Sequence, residues 1–125
     1  GNLRMARVLV VDDSPTETHS FKTMLEQHGH EVLTAENGAD GVALARQEKP
    51  DVVLMDIVMP GLNGFQATRQ LTKDPSTQHI PVIIVTTKDQ ETDRVWGRRQ
   101  GAKGYLVKPV PAARLMEEIK MVMAG

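Results

Sequence analysis

The chain has no cysteine, so no disulfide braces its fold, an absence that suits a reducing, cytoplasmic setting. It has no excess of either charge: 15 basic side chains stand against 16 acidic ones, a formal net charge of -1. That balance removes the electrostatic case for a nucleic-acid or anionic-membrane partner. No apolar run approaches the roughly 20 residues that a membrane-spanning helix needs, so no membrane insertion is expected. Nor does the stretch Val8 to Val11 make a secretory leader, being short and running into Asp12 and Asp13. No repeat, low-complexity tract or linker divides the sequence. What is present is the profile of one globular domain of 125 residues, 40% hydrophobic and 25% charged, long enough to bury a core without staples. Met5-Ala6-Arg7 reads as a natural start. Gly1-Asn2-Leu3-Arg4 are therefore set aside as an added leader, and residues 5–125 are expected to form a single domain with no output domain attached.

Short runs rich in β-branched residues stand out at Val8-Leu9-Val10-Val11, Val52-Val53-Leu54-Met55, Val82-Ile83-Ile84-Val85 and Tyr105-Leu106-Val107. The first three are continuous rather than alternating, which is how strands buried on both faces of a parallel sheet read. Glu31-Val32-Leu33-Thr34-Ala35 mixes polar and apolar residues and suits an edge strand. Helical segments lie between them. Ser14, Pro15 and Glu17 carry the signature of a capping box, opening a helix with Phe21, Met24 and Leu25 on one face. A second helix is predicted over Ala39 to Glu48, stopped by Lys49-Pro50, and a third after Asn63 as cap. The fourth, near Gln90 to Gln100, has acids early and arginines late but only Val95 and Trp96 as apolar content. The last begins at Pro111 and carries Leu115, Ile119, Val122 and Met123 as a stripe. The seven methionines, Met55, Met59 and Met121 among them, read as core filler. Five strand–helix alternations predict an α/β fold with a doubly wound, five-stranded parallel sheet.

In such sheets ligands bind beyond the carboxyl ends of the strands. Asp12 and Asp13 follow the first run, Asp56 the second continuous one, Thr86 and Thr87 the third, and Lys108-Pro109 the last. Each has an ordinary reading when taken alone: acids cap helices, an Asp after a strand makes a turn, and a lone Lys is a solvated surface residue. Their convergence on one sheet edge is the informative fact. Three neighbouring carboxylates repel unless one is protonated or a cation neutralises them. An oxygen-only ligand set favours a hard cation, with Mg2+ leading and Mn2+ possible. The four histidines (19, 28, 30 and 79) are scattered without ligand spacing and read as surface or structural. Carboxylate-held metal beside a lysine and a threonine hydroxyl suits a phosphoryl group. Asp56, ending the most buried strand, is then the candidate nucleophile for an aspartyl phosphate.

These residues resemble the response-regulator receiver (CheY-like) family: Val8 through Ser14, Asp51 through Gly64 with Met59-Pro60-Gly61, Thr86-Thr87 and Lys108-Pro109, over Ala6 to about Ala124. The resemblance implies a (βα)5 flavodoxin/CheY-like sheet of order 2-1-3-4-5. It implies that Asp56 takes a phosphoryl group from a CheA-like sensor histidine kinase. Asp13 and Asp56 would bind Mg2+ directly, Asp12 through water, and Val58 by its backbone carbonyl. Thr86 would swing toward the phosphoryl group, Lys108 pair with it, and Tyr105 act as the rotating aromatic of the switch. A cis Lys108–Pro109 peptide is implied as well. A downstream protein would then be met through the face of the fourth helix, fifth strand and last helix. The stretches Asn37 to Asp51 and Thr86 to Asp93 are more narrowly similar to single-domain receivers of type IV pilus twitching-motility systems.

The expected function is that of a phosphorylated signalling module rather than an enzyme, acting as a target-binding messenger or as a phosphate sink, with at most slow self-dephosphorylation. Three rivals are weighed against it. A haloacid-dehalogenase-type phosphatase would carry a second Asp two residues after its nucleophile, where Val58 stands. A flavodoxin-like cofactor carrier would present a Ser/Thr/Gly-rich loop to its phosphate, not Asp12-Asp13. A degenerate adaptor would have lost some of the site residues. Val58, two residues after Asp56, is apolar where some family members carry a polar residue, and Lys88, two after Thr86, is basic. The resemblance implies that these positions flank the water that removes the phosphoryl group, and because Val58 cannot orient that water, a slow loss of phosphate is predicted.

Overall fold

The computed structural model describes residues 5–125; Gly1 to Arg4, read above as an added leader, lie outside the described residues. The elements alternate strictly: β1 (Arg7–Val11), α1 (Pro15–Gln27), β2 (Glu31–Ala35), α2 (Gly38–Glu48), β3 (Val52–Met55), α3 (Gly64–Lys73), β4 (Val82–Thr86), α4 (Glu91–Arg99), β5 (Gly104–Val107) and α5 (Ala112–Ala124). The five strands are parallel and lie in the order β2-β1-β3-β4-β5. In register, Val11 pairs with both Ala35 and Met55, and Met55 pairs with Ile84. The carboxyl ends of the central strands are therefore level, and whatever follows them opens at one edge.

The continuous apolar runs fill two cores at once because successive side chains leave a strand on opposite faces. Val8, Val10, Val52, Leu54, Ile83 and Val85 meet α1 and α5 through Phe21, Leu25, Leu115 and Ile119. Leu9, Val11, Val53, Met55 and Val82 meet α2 and α3 through Val42, Ala45, Ala67 and Leu71. Each fully buried side chain of this kind contributes about 1.5–3 kcal/mol, so the sheet that carries the site is the best-anchored part of the molecule.

The helix ends show where sequence signals competed. Ser14 Oγ does accept from the N–H of Glu17, at 3.3 Å. The reciprocal half of the box is absent, because Asp12 Oδ1 accepts the Ser14 N–H at 2.9 Å from two residues away. A complete box occurs at α3 instead, where Asn63 and Gln66 exchange bonds of 2.9 Å in both directions. Helix α2 starts one residue before the predicted Ala39, since Asn37 Oδ1 accepts from Asp40 N–H at 2.8 Å and so acts as the cap. Helix α4 has no side-chain cap, and Gly97 is its one buried residue. Met55 and Met59 are buried, but Met5 is 70% exposed and not core filler, and neither is Met121, which is 60% exposed. Met121 leaves α5 away from the Leu115–Ile119 stripe, a quarter-turn or more off the core-facing side.

Candidate functional site

The acids arrive by extension of the strand ladder. Asp12 N–H donates to Ala35 carbonyl at 3.1 Å, and Asp56 N–H donates to Val11 carbonyl at 3.0 Å. These bonds pin both backbones at the sheet edge just past β1 and β3. Carboxylate oxygens of Asp12, Asp13 and Asp56 lie within 4.8 Å of one another. Asp12 is buried, Asp56 half-buried and Asp13 exposed, so the cluster is graded from interior to solvent. From the far side Lys108 reaches in from the end of β5. Its Nζ stands 2.8 Å from Asp12 Oδ2, 3.8 Å from Asp56 Oδ2 and 4.0 Å from Glu17 Oε2. The Lys108–Pro109 peptide is cis, as the family resemblance implied.

The electrostatics follow from that arrangement. Burial pushes the Asp56 carboxyl above its ordinary range; Lys108 opposes the rise, while Asp12 and Asp13 add to it. Burial alone would lower the Lys108 ammonium, but the bond to Asp12 and the neighbouring Asp56 outweigh it and raise its pKa. Three carboxylate oxygens gathered beside one cation are an incomplete neutralisation, and they fit a hard divalent ion bound through oxygen. Asp56 Oδ1 accepts its own neighbour's N–H, from Ile57, at 2.8 Å. Its Oδ2 faces the lysine.

Thr86 closes β4 on the neighbouring strand and is fully buried. Its Oγ1 accepts from Lys88 N–H at 3.4 Å. Tyr105, on β5, donates its hydroxyl to the Lys88 carbonyl at 2.8 Å. The Arg94 guanidinium lies 5.1 Å from the centre of the Tyr105 ring. Burial first, and then Asp93, push the Tyr105 phenol up to about 12. Val58 is 59% exposed, with its side chain turned to solvent. Asp12, Asp13, Asp56 and Lys108 are thus in one cluster, and Thr86 and Tyr105 are joined one strand over through Lys88. An open cavity of about 260 Å³ runs from Asp12 and Asp13 past Pro15 and Lys22 to Glu36; Asp56 and Lys108 do not line it.

Two site residues escaped the sequence reading. Glu17, assigned there to a helix cap, faces Lys108. Gly64 starts α3 with its N–H donating to Ile57 carbonyl at 2.9 Å, and any Cβ there would collide with the Asp56 carbonyl. A glycine at the first helical position, where almost any other residue stabilises better, is the signal that could have marked it.

Residues 8–120 match the family described as the response regulator receiver domain. The chain is 74% identical to Protein PilH of Pseudomonas aeruginosa over 121 residues, which is 97% of this chain and 100% of that protein. Among solved structures, the chemotaxis protein CheY4 of Vibrio cholerae superposes with a TM-score of 0.89 at 31% identity, covering 95% of this chain and 99% of that one. The receiver domain of a Pseudomonas aeruginosa sensor histidine kinase superposes with a TM-score of 0.90 at 27% identity, covering 98% and 100%. That structure has a magnesium ion coordinated in its active-site cleft.

Proposed function

The chain belongs to the response regulator receiver family, and from that premise we propose that it is a cytoplasmic response regulator phosphorylated on Asp56. The observation that carries this reading is the meeting of Asp12, Asp13, Asp56 and Lys108 at one sheet edge. An Asp56 oxygen attacks phosphorus as the bond from phosphorus to the kinase histidine nitrogen breaks, and the imidazole leaves. Asp13 and Asp56 would hold Mg2+ directly, Asp12 through water, and Val58 through its backbone carbonyl, and the ion would supply neutralisation of the phosphoryl oxygens. Lys108 pairs with one of those oxygens, and the Thr86 hydroxyl turns to donate to another. Turning releases Thr86 from Lys88, and Tyr105 moves inward as the Lys88 strap slackens. The altered face of α4, β5 and α5 then meets a downstream protein. The 74% identity to PilH supports a place in type IV pilus twitching motility, with a CheA-like histidine kinase as donor.

Incubation with acetyl phosphate and Mg2+ should add the mass of one phosphoryl group, and Asp56→Asn should abolish the gain. Absence of the gain, or its survival in Asp56→Asn, refutes the assignment. A phosphate sink in the same relay is the alternative reading; it requires fast loss of phosphate, and the exposed apolar Val58 argues against that. A pull-down comparing beryllofluoride-treated protein with Asp56→Asn separates the two, because a sink needs no target.

A further inference from the structure

Glu17 has no part in the chemistry above, yet its placement is unusual for the first turn of a helix. A Glu three residues after a Ser cap ordinarily turns back to accept the cap's N–H. Here Asp12 Oδ1 already accepts that N–H at 2.9 Å, which frees the Glu17 carboxylate. Its Oε2 lies 4.0 Å from Lys108 Nζ instead. One ammonium is therefore shared by carboxylates from three parts of the chain, with Asp56 at 3.8 Å and Asp12 closest at 2.8 Å. The Lys108 side chain is 9% exposed and that of Glu17 43%, so Glu17 is the solvent-side holder of a buried cation.

We propose that Glu17 is a positioning residue that competes for Lys108 and so slows the passage of the lysine to the phosphoryl oxygens on Asp56. This rests on Asp56 being the phosphoacceptor. The reason is competition for a single cation. A phosphoryl group brings roughly two negative charges to Asp56, and Glu17 both draws on the ammonium they need and adds its own repulsion. Glu17→Gln keeps the shape and removes both effects. Because Glu17 is partly solvated, the expected gain is modest, about two- to fivefold.

The test measures the rate of phosphoryl acceptance from acetyl phosphate with Mg2+, by intact mass, in the unaltered chain, Glu17→Gln, Lys108→Ala and the double variant. Glu17→Gln should be about two- to fivefold faster at low salt, less so at high salt, and no faster when Lys108 is absent. A second readout needs neither metal nor phosphate: in Glu17→Gln the side-chain NMR signals of Lys108 should move more than those of any other lysine. This readout decides the matter where Lys108→Ala accepts too little to follow. An unchanged rate in Glu17→Gln, an equal gain without Lys108, or an unmoved Lys108 signal overturns the inference while leaving Asp56 as acceptor. An unaltered chain that takes no phosphoryl group overturns both.

Discussion

Tyr105 donates its phenol hydrogen to the carbonyl of Lys88 at 2.8 Å, across 17 residues of sequence, and the N–H of the same Lys88 is turned to Thr86 Oγ1 at 3.4 Å. One peptide segment is thereby strapped to both of the residues that the family resemblance names as the switch. The strap spans the loop into α4, the helix with one buried residue and no side-chain cap. An element so lightly held is where a small change of contacts shifts a population most readily.

Tyr105→Phe removes one arm of that strap without altering the ring. The expected loss of global stability is small, about 0.5–1 kcal/mol, since the bond is near the surface. The local effect should be larger: amide hydrogen exchange at Lys88 and through Glu91–Arg99 should speed up while the β1 and β3 amides keep their protection. Exchange rates that rise equally everywhere, or nowhere, contradict the strap.

Lys108→Met should destabilise the metal-free protein by about 3 kcal/mol, because Asp12 is left as a buried carboxylate without its partner at 2.8 Å. Mg2+ should restore part of the loss by supplying the missing positive charge. Thermal melts with and without Mg2+ measure both effects. A variant as stable as the parent without metal would show that the Lys108–Asp12 pair is of no consequence.

Gly64→Ala and Gly61→Ala make a matched comparison. Gly61 has φ +73 and open space for 4 Å around the place a Cβ would take, so alanine there meets only backbone strain, about 1 kcal/mol. At Gly64 the new methyl meets the Asp56 carbonyl and the Ile57 Cα, and backbone cannot give way as a side chain would. The cost should be about 2–3 kcal/mol or more, with a fall in phosphoryl acceptance as Asp56 is displaced. Urea denaturation and intact mass give the two readouts; equal costs at the two positions would show that the close approach does not matter.

His30 Nδ1 accepts the N–H of Ala6 at 3.0 Å, which requires that nitrogen to be unprotonated. Burial first, and then the neighbouring His28, hold its pKa below the ordinary 6.5. The folded protein thus prefers the neutral ring. Its contribution to stability is complete above pH 6.5 and is lost as pH falls through the lower folded-state pKa. Urea midpoints should drop on acidification across this window, and His30→Gln should flatten that part of the profile. A parent profile unaffected by the substitution would count against it.

What could be read in advance follows from which residues had competitors. The runs at Val8–Val11, Val52–Met55 and Val82–Val85 had none, because their continuous apolar pattern suits a doubly covered strand; the level ends of β1 and β3 put Asp12, Asp13 and Asp56 together, and Lys108 joins them from the end of β5. Local signals failed where two groups wanted the same partner. Glu17 matched the capping pattern, but Asp12 was nearer to the Ser14 N–H. Met121 was apolar yet faced the wrong side of α5. Gly64 stood in the block that carries the resemblance, but its role was not legible, since the demand for a missing Cβ comes from a backbone atom eight residues away.

Val58 is two residues past Asp56 and 59% exposed, and on the proposed function water would approach a phosphoryl group on that aspartate from beside it. An isopropyl group offers such a water neither donor nor acceptor, so the attacking molecule is left unoriented and loss of phosphate should be slow. Val58→Asn places an amide at the same exposed position. One added hydrogen bond to the water, about 0.5–1.5 kcal/mol in the transition state, converts to roughly a two- to tenfold faster loss. Acceptance of the phosphoryl group should change little, since Val58 is expected to face the metal only through its backbone carbonyl. Phosphate release followed after removal of excess donor gives the rate directly. An identical decay in parent and variant would mean that the side chain two residues beyond Asp56 does not govern the lifetime of the phosphorylated state.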